Sequence, residues 1–132
     1  FRRLLADSGG AGTWRGGLGQ VAQMTNTTDH DKTLFMFGMR TNFPAQGSQG
    51  GGAGAARRFE VDGKPVPPKG KLVIKPGQTF PVYEAGGGGY GDAASRDPDA
   101  VLADVRKGAV SVEKALSDYG VTVDLMAGTA SR

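Results

Sequence analysis

Apolar positions change their spacing along the chain, and with it the elements they predict. Up to Glu84 they come in short runs or alternate, the signature of strands. Thr13 to Thr25 reads as a strand interrupted by Gly16, Gly17 and Gly19, which implies bulges or close backbone contact. Thr27 to Asp31 is a polar turn. Lys32 to Arg40 holds Leu34-Phe35-Met36-Phe37, a run expected to be buried on both faces and to neighbour the preceding strand. Arg58 to Val61 resumes the pattern. Asp62-Gly63 then predicts a type I′ hairpin turn, and Pro65, Pro67 and Pro68 keep the return strand short or at an edge. Leu72 and Ile74 share one face of Lys71–Lys75. Pro76-Gly77 fits a type II turn, and Gln78 to Glu84 runs back as a strand.

Past residue 92 the spacing becomes helical. Asp97 caps a helix with Pro98 at its first position, Val101, Leu102 and Val105 as its apolar stripe and Gly108 at its end. Ser111 caps a second, with Val112, Ala115, Leu116 and Tyr119 in register and Gly120 as its stop. Each stripe is expected to face the β core, leaving Asp99, Asp104, Glu113 and Asp118 exposed on polar faces. Val121 to Leu125 adds a short strand, and Ala127 to Arg132 reads as a frayed tail. The fold class is therefore α+β, mainly β, with two short C-terminal helices. Residues 1–92 form a glycine-rich β part and 93–126 a helical pair with a tail strand, together one structural domain.

Composition adds one strong feature. The chain has 23 glycines among 132 residues, against roughly 9 at average usage. They cluster in segments without a regular pattern. One is the long loop Asn42 to Ala56. Another is Glu84-Ala85-Gly86-Gly87-Gly88-Gly89-Tyr90-Gly91-Asp92. Here backbone can approach a ligand or another chain closely, or thread where no Cβ fits. Gly86, Gly88 and Gly91 formally satisfy G-x-G-x-x-G, but the helix signal comes only at Asp97, too late for amides at a helix start to meet a pyrophosphate. A P-loop lysine is missing as well. The net charge is +3, with basic residues singly or in pairs, so no nucleic-acid footprint is expected. Without cysteine, thiol chemistry and disulfides within the chain are excluded. No apolar run reaches the ~18 residues of a membrane span, and a cytoplasmic setting is the default expectation.

Candidate chemistry is sparse. Asp7-Ser8 offers an acid and a nucleophile, or two side chains bonding nearby backbone in a turn. The single histidine, His30, sits between Asp29 and Asp31 in what reads as a solvated hairpin tip rather than a metal site. Arg15 offers a planar fork to a carboxylate or phosphate, or a surface salt bridge beside Trp14 as a core aromatic.

Three ordered segments carry a family resemblance. They are Asp7-Ser8-Gly9-Gly10-Ala11-Gly12 with Arg15-Gly16-Gly17-Leu18-Gly19, Val61-Asp62-Gly63-Lys64-Pro65 with Lys75-Pro76-Gly77, and the Gly86–Asp92 loop followed by Arg96-Asp97-Pro98. Together they resemble the C-terminal part of hydantoinase B/5-oxoprolinase subunits, which are several times longer. The resemblance implies a piece of an ATP-dependent enzyme that opens cyclic amides such as 5-oxoproline or hydantoins. Acetone and acetophenone carboxylases share that architecture and give the alternative, and a non-catalytic assembly module gives another. An amide is a poor electrophile, and phosphorylating its oxygen creates a leaving group. ATP and a divalent metal are implied for the complete enzyme, with none bound by this chain alone. The implied partners are the remainder of the B-type subunit and an A-type subunit, with no nucleic acid or membrane. Asp7, Ser8 and Arg15 remain weak catalytic candidates. Gly86, Gly87, Gly88, Gly89, Tyr90 and Asp92 form the ligand- or interface-facing loop.

Overall fold

The computed structural model describes residues 1–132. Its strands are β1 (Arg2–Leu4), β2 (Gln20–Thr25), β3 (Lys32–Phe37), β4 (Arg58–Val61), β5 (Lys64–Pro65), β6 (Lys69–Ile74) and β7 (Thr79–Tyr83). A 3-10 turn at Ala93–Ser95 leads to helices α1 (Pro98–Arg106) and α2 (Val112–Tyr119), then β8 (Thr122–Asp124) and β9 (Thr129–Ser131). The architecture is α+β and mainly sheet. One antiparallel sheet has the order β1-β2-β7-β4-β5, while β3-β6 and β8-β9 form two-stranded sheets.

Local signals set the corners. Asp62 and Gly63 have φ of 46° and 76°, the left-handed pair that a type I′ turn needs, and they join β4 to β5. The Asp62 carboxylate accepts from the Thr79 amide at 2.9 Å and from Gln78 at 2.8 Å. The Thr79 and Gln78 bonds hold its pKa below the ordinary 3.8. Pro76-Gly77, with Gly77 at φ 79°, carries the chain from β6 in the small sheet to β7 in the large one.

Met36, Phe59, Ile74, Phe80 and Val82 fill the space between these two sheets, with the Phe59 and Phe80 rings stacked at 6.1 Å. A second core gathers Val101, Val105, Val110, Ala115, Tyr119 and Val121 around the helices. The helix caps are as the sequence predicts. The Asp97 carboxylate accepts from the Asp99 amide, the Ser111 hydroxyl from the Lys114 amide, and Gly120 closes α2 at φ 64°.

Six expectations need correction. Thr13 to Gly19 is not strand, because Gly16 and Gly19 pack against other backbone; β2 starts only at Gln20. β2 and β3 are not neighbours either. The buried Asn26 diverts the chain: its amide and carbonyl bond Gln78 and Gly77, and its side chain donates to the Ile74 and His30 carbonyls at 2.9 Å each. β3 therefore crosses to the second sheet and pairs with β6. That two-stranded sheet is covered on one side only, so Met36 is buried while Phe35 and Phe37 are 71% and 83% exposed.

The helices deviate as well. Asp104 is buried on α1. On α2 only Ala115 and Tyr119 are buried, and Val112 and Leu116 face out. Leu116 lies roughly 100° around the helix from the buried Ala115 and is exposed. Leu102→Ala, at a buried site, should cost about 2–5 kcal/mol, whereas Leu116→Ala should stay within about 0.5 kcal/mol; urea midpoints of the two variants check this. Finally, the tail is ordered. The Asp124 carboxylate accepts from the Met126 and Ala127 amides at 2.9 Å, Gly128 turns at φ 71°, and β9 pairs with β8.

Candidate functional site

The glycine segments converge on one another. Residues 8–12, 15–19, 45–48 and 51–55 surround 86–91, and side chains are nearly absent between them. A Cβ on Gly86 would fall on the Ser8 carbonyl, one on Gly87 would meet Gly17, one on Gly88 the Gln46 carbonyl and one on Gly89 the Ala11 carbonyl. Three successive positions thus face three different neighbours, and the fourth returns to the first neighbour three residues on. That is a threefold extended helix, which makes no hydrogen bonds within itself and must bond sideways. Gly51 and Gly54 face Gly89 and Gly86 in the same three-residue step.

The sideways bonds are made. The amides of Gly86, Gly87 and Gly89 donate to Ala55, Gly17 and Gly52 at 3.0, 2.9 and 2.9 Å. Tyr90 and Gly91 donate to Trp14 and Ser48. Gly10 returns a bond to the Gly87 carbonyl at 2.8 Å. Of the run 86–91 only the Gly88 amide lacks a backbone partner. A loop whose amides are turned to its own chain does not fit as a cradle for the phosphates of ATP. No three His, Asp or Glu side chains converge, so the donor set of a divalent ion is not assembled here either. Tyr90 projects outward beside Trp14, its antiparallel bridge partner, with 54% and 69% exposure. Trp14 is thus a surface aromatic, not the core one considered from sequence. Asp92 caps the 3-10 turn by accepting from the Ala94 amide at 3.0 Å.

The remaining candidates bond within the chain. Asp7, at φ 60°, accepts from the Ser111 amide at 2.7 Å and fastens the N-terminal segment to the loop before α2. The Ser8 hydroxyl donates to the Leu5 carbonyl at 2.6 Å, accepts from the Gly19 amide at 2.8 Å and is buried. His30 does not reach it. Its ring contacts Asp29 and Lys32 on an exposed turn.

Arg15 finds a carboxylate, but an internal one. Its Nε and Nη2 donate to Asp104 Oδ2 and Oδ1 at 3.1 and 3.3 Å, and Arg96 Nη2 donates to Oδ2 at 2.8 Å. All three side chains are at least four-fifths covered. Beside them burial pushes the Tyr119 phenol above 10.0, and the Arg96 and Arg15 charges pull it back. This triad ties the N-terminal loop, the 3-10 turn and α1 together. Sequence reading missed it because it placed Asp104 on the solvent face.

The sequence profile of the hydantoinase B/oxoprolinase family matches residues 2–93, more than half of the chain. The chain belongs to the hydantoinase B/oxoprolinase family. It is 36% identical over 130 residues to the β chain of the caprolactamase of Pseudomonas jessenii, covering 92% of this chain and 22% of that relative. The B-type chain of a candidate D-/L-hydantoinase from Pseudomonas sp. strain NS671 is 29% identical over 130 residues, with the same coverage. Among solved structures the ATP-dependent caprolactamase from Pseudomonas jessenii matches with a TM-score of 0.77 at 30% identity, over 96% of this chain and 23% of that one. A nucleotide-free acetone carboxylase matches with a TM-score of 0.66 at 23% identity, over 98% and 22%; that likeness concerns the fold alone. The chain therefore spans about a fifth of the length of the relatives it matches. In this hydantoinase B-family chain, two of the three segments of the resemblance meet in the glycine bundle, and the third forms the β4–β5 and β6–β7 turns.

Proposed function

We propose that the chain is part of the B-type subunit of an ATP-dependent cyclic-amide hydrolase, working with an A-type subunit, and that it serves there as a rigid assembly module. The similarity to a caprolactamase β chain along nearly the whole sequence carries the enzyme reading. The inward use of Asp7, Ser8, Arg15 and the glycine amides supports a structural role for this part. The groups that activate and open the ring then belong to other parts of the enzyme. Purified residues 1–132 are expected to fold and to show no ATP turnover with 5-oxoproline, hydantoin or caprolactam, while the full-length subunit with its A-type partner shows cyclic-amide-dependent turnover. Turnover by the 132 residues alone would overturn the structural role. Turnover of the whole enzyme that depends on a ketone and bicarbonate, and not on a cyclic amide, would assign a carboxylase instead.

A further inference from the structure

The small sheet is left unfinished. β3 pairs only with β6, and two-stranded sheets are marginal without further cover. The Gly38 amide bonds the Pro68 carbonyl at 2.7 Å, which places 38 and 68 in a hydrogen-bonded pair. The two-residue alternation of an antiparallel ladder then turns residues 36, 34 and 32 toward β6, and turns the amides and carbonyls of Thr33, Phe35 and Phe37 outward. None of these three has another backbone partner. This edge carries no proline or bulge, and its two phenylalanine rings are exposed. An edge that is apolar and unprotected in this way is a template for another strand.

A groove runs beside the edge, lined by Met24, Leu34, Phe35, Phe37, Phe59 and Phe80, with a volume of about 230 Å³. Small-molecule pockets are usually about 300–1,000 Å³, so its size suits side chains of an added strand. The lysines decide the chemistry of the occupant. β3 and β6 carry Lys32, Lys69 and Lys71 and no acid, and in the register Lys71 lies opposite Phe35 and Lys69 opposite Phe37. A second copy would bring three more lysines and no carboxylate, so the complementary surface is apolar with acidic flanks.

We propose that the free edge of β3 is a strand-addition site, filled by an extended apolar segment with carboxylates from the remainder of the B-type subunit. This rests on the reading that the chain is part of a longer subunit, and relatives more than four times as long supply ample chain for it. The added strand would bond Thr33, Phe35 and Phe37 and cover both rings.

Amide hydrogen exchange across residues 32–38 tests this in the full-length subunit and in the 132-residue chain. The outward amides should exchange on the order of 100-fold more slowly in the full-length subunit. Phe35→Lys with Phe37→Lys should remove that protection, while the melting of the 132-residue chain stays unchanged because both rings are exposed there. Equal exchange in both proteins would overturn the proposal. So would light scattering that shows the 132-residue chain as a dimer which the double variant disperses, since the occupant would then be a second copy. An unprotected edge in a subunit that still shows cyclic-amide-dependent turnover rejects the strand addition alone. A protected edge without such turnover rejects the enzyme reading alone.

Discussion

Gly86→Ala and Gly89→Ala should each lower stability by roughly 3 kcal/mol or more, at or beyond the upper end of the usual cost of a methyl group forced into a packed interior. At Gly86 the added Cβ would fall on the Ser8 carbonyl, which the Ala55 amide already holds at 2.8 Å. At Gly89 it would fall on the Ala11 carbonyl, held by the Gly52 amide at 2.7 Å. Neither oxygen can retreat without releasing its bond and displacing a second segment. Whole domains are stable by only about 5–15 kcal/mol, so much of the margin would go. Gly17→Ala is the control. Nothing lies within 4 Å of its Cβ and its φ is not positive, so its effect should stay within about 0.5 kcal/mol. Urea unfolding of the three variants separates the sites. Equal midpoints would mean that the bundle tolerates side chains. Gly88→Val belongs with the first pair. Its harm comes from the Gln46 carbonyl and not from backbone strain, because Gly88 is not in the left-handed region.

Asp104→Ala is the second large effect. It removes the one carboxylate shared by Arg15 and Arg96 and leaves two guanidinium groups facing each other under cover. Breaking such a site by removing one partner costs about 3–5 kcal/mol when burial is full. These side chains retain some solvent contact, so the expected loss is about 3 kcal/mol. Arg15→Ala should cost less, because Arg96 still holds the carboxylate. Glu113→Ala, on the exposed face of α2, should change stability by less than about 0.5 kcal/mol. Thermal melts of these variants are the check. An Asp104→Ala protein as stable as Glu113→Ala would mean that the triad contributes nothing.

What could be read from sequence was mostly local. Asp97-Pro98, Ser111 and Gly120 mark helix ends by capping chemistry that needs no distant partner. Asp62-Gly63 marks its turn because so few residue pairs accept two positive φ angles. What stayed hidden depended on neighbours far along the chain. Met36 and Phe35 look equally apolar, and only the one-sided cover of β3 separates them. Leu116 fits its stripe by spacing, yet it is left exposed on α2. Asp104 has the pattern of a solvent residue, and it is covered because Arg96 and Arg15, the latter 89 positions earlier, both pair with it. The partner of Arg15 was hidden for the same reason, whereas the Ser8 hydroxyl bonds nearby backbone, as the turn reading of that residue expects. The glycine bundle did leave a trace. Gly9 and Gly12, Gly16 and Gly19, Gly51 and Gly54, and Gly86 and Gly89 repeat a spacing of three, which is the period of the helix they form.

The bundle also dictates an order of events during synthesis. Its central segment, 86–91, is made after the four that surround it. Residues 8–19 and 45–55 bond to it and have few hydrogen-bonding neighbours of their own within reach in sequence. Until residue 91 has left the ribosome these segments stay open and hydrated, at a synthesis rate of about 5–20 residues per second for several seconds. Closing several long loops at once then makes assembly slow compared with the helices that follow. Because 11 of the 23 residues in the waiting segments are glycine and most of the others are small or polar, they offer little apolar surface for wrong contacts in that interval.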